Sequence, residues 1–172
     1  MRFKVSKKIY LHIDCDSFFA YCEILKNPNL KWKIVCVWHE LILASSYEAK
    51  RLWINTWMPI WEAKKITKGN WYFFKPDMLF YSEVSIKFIQ YLIDNTFNVE
   101  QFSIDEAFCE ISWLPEYNKI SLDDYLLKLQ KDILINVWVS VSIGCSNTKI
   151  KAKIYSKLNK PYWIFNWFNI DE

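Results

Sequence analysis

Gly69 and Gly144 are the only glycines in 172 residues, and that scarcity limits how this chain can turn more than any other feature. Glycine is the default residue wherever the backbone must enter φ > 0, because it has no Cβ to clash. Ordinary usage is roughly 7%, which would be about twelve glycines in a chain of this length. The chain also carries ten tryptophans. Glycine and tryptophan counted together match that ordinary glycine share. Trp53, Trp57 and Trp61 crowd one short loop-and-helix segment, where turns call for a residue tolerant of φ > 0.

Between its turns the chain alternates helix and strand patterns. Residues 9–14 read as a strand rich in β-branched and aromatic side chains. Residues 17–26 read as a helix capped by Ser17 and ended by Asn27-Pro28. A short strand is expected at 34–37, then helices at 46–52 and 59–66, the second with proline in its first turn. Asp77 caps a longer helix whose buried stripe is Phe80, Val84, Phe88 and Leu92. Strands at 99–103 and 107–111 join across Ile104, Asp105 and Glu106. Ser121 and Asp124 resemble a capping box, opening a helix that buries Leu122, Leu126, Leu129 and Ile133. A strand at 137–143 and a helix at 148–158 follow. The alternation predicts an α/β (α+β) fold, a sheet with helices packed on it.

Composition excludes several classes. Apolar residues make up 52% and charged residues 24%, a globular balance. The net charge of +3 does not by itself demand nucleic acid. Cys15, Cys22, Cys36, Cys109 and Cys145 are far apart and form no CxxC pair. Neither a zinc site nor a disulfide framework is indicated, and free thiols fit a reducing cytoplasm. Asp14 cuts the first apolar stretch too short for a signal peptide. No run reaches membrane-spanning length.

The chemistry-bearing residues are carboxylates. Asp14 and Asp16 end the first strand, and residues two apart on a strand share a face. Asp105 and Glu106 sit where the later hairpin reverses. Phosphoryl transfer with two metal ions needs several oxygen ligands brought together from different segments. Spacing alone favours the plainer reading, with Asp105-Glu106 a solvated turn and Asp14 a cap of the next helix. His12 and His39 have no metal-spaced partner, and the spacing gives them no chemistry.

The strings HIDCDSFFAYCEILKNPNL, SSYEAKR, MPIWEAKK, FYSEVS, FSIDEAFCEIS and SIGCSNTKIKAKIYSKLNKP follow one another along the chain. In order and spacing they resemble the motifs of the Y-family (lesion-bypass) DNA polymerases of the DinB/UmuC type. The resemblance runs from about residue 9 to residue 165. It implies a ferredoxin-like polymerase palm at 1–19 and 77–165, with a small helical fingers insertion at 20–76. Residues 166–172 would begin the linker to a thumb, and the family's thumb and little finger would lie beyond Glu172.

The implied reaction adds a deoxynucleoside monophosphate to a primer 3′-end on a template, including damaged templates, with two Mg2+ ions. Asp14, Asp105 and Glu106 are the implied catalytic carboxylates and metal ligands, together with the backbone carbonyl of Cys15. Asp16 is left out of that set. Phe19 matches the steric gate that selects deoxynucleotides. Tyr47, Lys50 and Lys160 match nucleotide-binding positions, with lysine at 50 where arginine is usual. Lys149, Lys153 and Lys157 lie on one helix face, suited to a DNA phosphate backbone.

The implied partners are primer-template DNA, dNTP and a sliding clamp reached through the C-terminal part of the family, in the cytoplasm at the nucleoid. Without that part, little activity is expected of this stretch alone. The competing reading is a catalytically silent remnant or a nucleic-acid- or protein-binding module. Trp32, Trp38, Trp53, Trp57, Trp61, Trp113, Trp138 and Trp163 fall where the resembling motifs carry glycine or plausibly do. That coincidence implies glycines written as UGA codons, with most of the indoles at turns or on the surface.

Overall fold

The computed structural model describes residues 8–115 and 119–170. Two units emerge, one holding the chain up to Asp16 and again from Ser85, the other Ser17–Val84. The sequence reading places the corresponding boundaries at 19/20 and 76/77. In the structure the second boundary falls inside a helix, Met78–Asn95.

The first unit is built on a five-stranded sheet. In chain order its strands are β1 (Tyr10–Cys15), β5 (Glu100–Gln101), β6 (Glu106–Glu110), β7 (Val141–Ser146) and β8 (Ile164–Asn166), and in space they run β5-β6-β1-β7-β8. Tyr72–Phe74, Ile42–Ser45 and Val35–Trp38, described below, take the numbers β4, β3 and β2. The central strand β1 pairs antiparallel with both β6 and β7. Its alternation explains the burial. Leu11, Ile13 and Cys15 are buried on one face, while His12 and Asp14 share the other. Each such aliphatic side chain contributes about 1.5–3 kcal/mol through burial.

The last part of α4 (Met78–Asn95) and helix α5 (Leu122–Asn136) belong to this unit. Ser121 caps α5 by accepting from the Asp124 N–H at 3.1 Å, and Leu126, Leu129 and Ile133 are buried as the sequence predicts. The predicted strand at 137–143 is displaced. Val137 ends α5 and Trp138 turns the chain at φ 63°, so β7 starts only at Val141. Helix α6 (Lys149–Ser156) crosses close to Gly144 on β7. A Cβ there would lie 2.0 Å from the Ala152 carbonyl oxygen.

The second unit adds something the sequence reading lacks. Beside α1 (Phe18–Lys26), α2 (Tyr47–Lys50) and α3 (Ile60–Thr67) it holds a three-stranded sheet, β3-β2-β4. The insertion is therefore mixed and not purely helical. Its core is Cys36, Ile42, Ala49, Ile54 and Ala63. The buried stripe of α4 is also rotated by one residue at its start. Tyr81 is fully buried, with its hydroxyl donating to Glu23 Oε1 at 2.6 Å, and Phe80 is only half-buried.

Four tryptophans turn the backbone through positive φ: Trp32 (66°), Trp53 (64°), Trp57 (74°) and Trp138 (63°). All four are exposed, as are Trp61 and Trp113. The five cysteines are buried and none is in a disulfide. Among the described residues, no helix is long and apolar enough to cross a membrane.

Candidate active site

The carboxylates meet because β1 and β6 are paired in register. Asp14 lies directly opposite Glu106. Just beyond, the Cys15 N–H donates to the Asp105 carbonyl at 2.9 Å, which fixes the 103–105 turn against the end of β1. Ser103 Oγ donates to Asp105 Oδ1 at 2.6 Å and sets that side chain. Asp14, Asp105 and Glu106 thus come from two neighbouring strand ends.

Lysines surround them. Lys153 Nζ donates to Glu106 Oε1 at 2.8 Å. Lys157 Nζ stands 3.5 Å from Asp14 Oδ2 and 3.5 Å from Glu106 Oε2. Lys160 donates to Asp14 Oδ1 and lies 3.3 Å from the Cys15 carbonyl. Of the predicted phosphate-facing stripe, Lys153 and Lys157 therefore point at carboxylates, and Lys149 pairs with Glu100. Asp16 is occupied differently. It accepts from Ser140 Oγ at 2.6 Å, Ser142 Oγ at 2.8 Å and the Tyr162 N–H at 2.9 Å, which makes it a tie between β1, β7 and the 162 turn.

His12 is a site residue that spacing did not reveal. Its imidazole is fully buried, with Nε2 3.0 Å from Glu106 Oε2 and Nδ1 2.7 Å from Ser156 Oγ. Ser156 gives its own proton to the Lys153 carbonyl at 2.9 Å. Nδ1 is then the donor, and Nε2 turns a lone pair toward the carboxylate. Neither His12 Nε2 nor Glu106 Oε2 makes a hydrogen bond. Its partners lie 94 and 144 positions along the chain, beyond the reach of any local pattern.

The charges shift the protonation equilibria in different directions. Burial raises the Asp105 carboxyl, and the neighbouring Asp14 and Glu106 charges add to that, against the Ser103 hydrogen bond and Lys160. Burial also pushes Glu106 up, but the Lys153 hydrogen bond and the Lys157, His12 and Lys153 charges outweigh it and hold Glu106 low. Burial drives His12 down to about 4 despite the pull of Asp14 and Glu106. Burial and the Asp105 and Asp14 charges keep the Cys15 thiol protonated, so its sulfur is a spectator.

The donor set suits a divalent cation. Ligand atoms of His12, Asp14 and Glu106 lie within 4.8 Å of one another. Two buried acceptors facing each other without a hydrogen bond are what a cation would reconcile, and Lys157 stands where positive charge is wanted. Carboxylate oxygens with one imidazole are ligands that divalent metal ions accept.

The other predicted residues belong to the second unit. Phe19 is half-buried and stacks on Tyr81 with ring centroids 4.8 Å apart, while Phe18 is core. Lys50 Nζ donates to Ser17 Oγ at 2.7 Å and lies 4.4 Å from the centre of the Tyr47 ring. Arg51 and His39 are exposed.

Comparison with known proteins places this arrangement. The sequence profile described as the impB/mucB/samB family matches residues 13–157. The chain is 34% identical over 165 residues to DNA polymerase IV of Staphylococcus aureus (strain bovine RF122 / ET3-1), covering 92% of this chain and 49% of the relative. It is 32% identical over 164 residues to DNA polymerase IV of Treponema denticola, covering 93% and 41%. It therefore spans about half the length of these relatives or less. The crystal structure of DinB from Sulfolobus solfataricus superposes with a TM-score of 0.80 at 25% identity, over 94% of this chain and 49% of that one. Every carboxylate described above falls inside the matched stretch, and the chain belongs to the impB/mucB/samB family, the Y-family DNA polymerases.

Proposed function

We propose that this chain carries the catalytic part of a template-directed DNA polymerase, with the first unit as its palm and the second as its fingers. The reaction joins a dNMP to a primer 3′-hydroxyl and releases pyrophosphate. The observation that carries this reading is Asp14 facing Glu106 across β1 and β6, with Asp105 in the adjoining turn. Asp14, Asp105, Glu106 and the Cys15 carbonyl would hold two Mg2+ ions, which when bound supply charge that activates the hydroxyl and aligns attacking and departing oxygens. Its lysines hold Glu106 below the usual carboxylate range, which suits a carboxylate that would lie beside the primer hydroxyl. Lys153, Lys157 and Lys160 pair with these carboxylates. Relieved of that role, they are cations of the right kind for triphosphate and backbone phosphate oxygens. In the second unit, Tyr47 and Lys50 are the nucleotide-binding residues by family resemblance, and Phe19 is the steric gate against a ribose 2′-OH. Bypass of damaged templates and a role in DNA repair follow from the family.

Two measurements test this. In the full-length protein, Phe19→Ala lowers the dNTP-to-rNTP incorporation ratio by at least about tenfold, because the aromatic barrier to the 2′-OH is gone. An unchanged ratio assigns Phe19 to packing against Tyr81. The chain itself binds primer-template DNA weakly, and log K falls with log salt with a slope of about −0.9 per lysine–phosphate contact. Fluorescence anisotropy across a salt series checks this, and binding insensitive to salt contradicts the phosphate-contact role.

A further inference from the structure

We propose that Trp32, Trp53, Trp57 and Trp138 are glycines in the protein as its source makes it, the UGA codon being read there as glycine. Trp38, Trp61, Trp113 and Trp163 share that origin. The inference is independent of the polymerase reading.

Backbone geometry carries it first. Among the described residues, nine that are not glycine have positive φ: Ser17, Trp32, Trp53, Trp57, Lys68, Asn98, Lys119, Trp138 and Tyr162. With ten tryptophans in 172 residues, nine positions drawn blindly would hold fewer than one. Four is a concentration, and it falls on a residue type with a bulky Cβ substituent, for which positive φ is a genuine outlier. Glycine enters that region without steric cost.

Solvent exposure is the second observation. Trp32, Trp53, Trp57, Trp61, Trp113 and Trp138 are between 63% and 79% exposed. Tryptophan is highly buried on average, since its indole is the largest apolar surface a residue can offer. Here six indoles stand mostly in solvent.

The remaining two are misfits of other kinds. Trp38 sits at the register shift in the β2–β3 pairing, and such bulges are habitual glycine positions. Trp163 has a buried Nε1 with no hydrogen-bond partner. Trp71 and Trp167 differ from all eight. They have no positive φ, are half-buried and make ring contacts with Phe73 and Phe168. Nothing in their surroundings calls for glycine.

One decoding rule accounts for the set. Tryptophan has the single standard codon UGG, and UGA differs from it only in the third base. UGA differs from a glycine codon, GGA, only in the first. Independent mutation would need a separate glycine-to-tryptophan event at each site. Reassignment of one codon needs a single change, which then acts wherever the codon occurs.

Peptide mass spectrometry on the protein purified from its source decides the matter. Glycine residue masses at positions 32, 53, 57 and 138 support the proposal, and tryptophan at any of the four overturns it. A recombinant comparison gives a second reading. The variant Trp32→Gly, Trp53→Gly, Trp57→Gly, Trp138→Gly melts at least about 5 °C above the chain as written, since four strained backbones relax. An equal or lower melting temperature overturns the geometric argument.

Discussion

Asp105→Ala in the full-length protein abolishes nucleotide addition, with a loss of at least about a hundredfold. Loss of a partner one shell further from a metal already costs about 10- to 100-fold, and Asp105 is proposed as a direct ligand. The same substitution leaves the fold standing. The link to β1 runs through the Asp105 backbone carbonyl, which alanine retains. The side chain contributes charge repulsion, because its pKa is raised by burial and by Asp14 and Glu106. The sign follows from proton binding. An acid with a higher pKa in the folded state binds more protons when folded, so its contribution to stability falls as pH rises through that range. The raised Asp105 carboxyl therefore detracts from stability as pH rises through its range, and alanine removes that dependence. Primer extension and thermal melting measured together make the check. Retained extension ends the assigned role, and a collapsed melting temperature makes Asp105 a structural residue.

Gly144→Ala has the opposite profile, a large effect on stability from a residue that touches no substrate. The added Cβ would lie 2.0 Å from the Ala152 carbonyl oxygen and 2.5 Å from the Ser156 nitrogen. Both are helix backbone, so no side chain can swing aside. Helix α6 must lift from the sheet, at a cost of about 3 kcal/mol or more. For a chain of this size that lowers the melting temperature by at least about 6 °C. The lift also withdraws Lys153 from Glu106 and Ser156 from His12. Gly69 is the internal contrast. It has φ 89°, but an added Cβ there would meet nothing within 4 Å, so its alanine variant feels backbone strain only. A melting temperature unchanged by Gly144→Ala contradicts the close approach of α6.

Spacing alone left Asp14 and Asp105-Glu106 as a helix cap and a solvated turn; it was the resemblance of the full strings that grouped them, and the structure sets Asp14 opposite Glu106. His12 was not legible, since its role depends on Glu106 and Ser156 arriving from remote segments. The secondary structure divides the same way. Helix α5 announced itself through a cap and a four-residue stripe. Strands β3 and β4, four and three residues long, carry too few side chains for a period to register. Residues 137–143 misled because valines favour strands while the chain there is still leaving a helix. The α4 stripe was set by Tyr81, whose hydroxyl finds Glu23, and not by Phe80.

The sheet order has a consequence for synthesis. Strand β1 occupies the middle of the first unit, yet its partners begin at Glu106 and Val141. A ribosome adding about 5–20 residues per second needs roughly five to twenty seconds to pass from Cys15 to Glu106. Throughout that interval Leu11 and Ile13, fully buried at the end, have no sheet to enter. Residues 17–84 are contiguous and can condense meanwhile. The nascent chain therefore carries β1 as an unpaired apolar strand until β6 and β7 have been made.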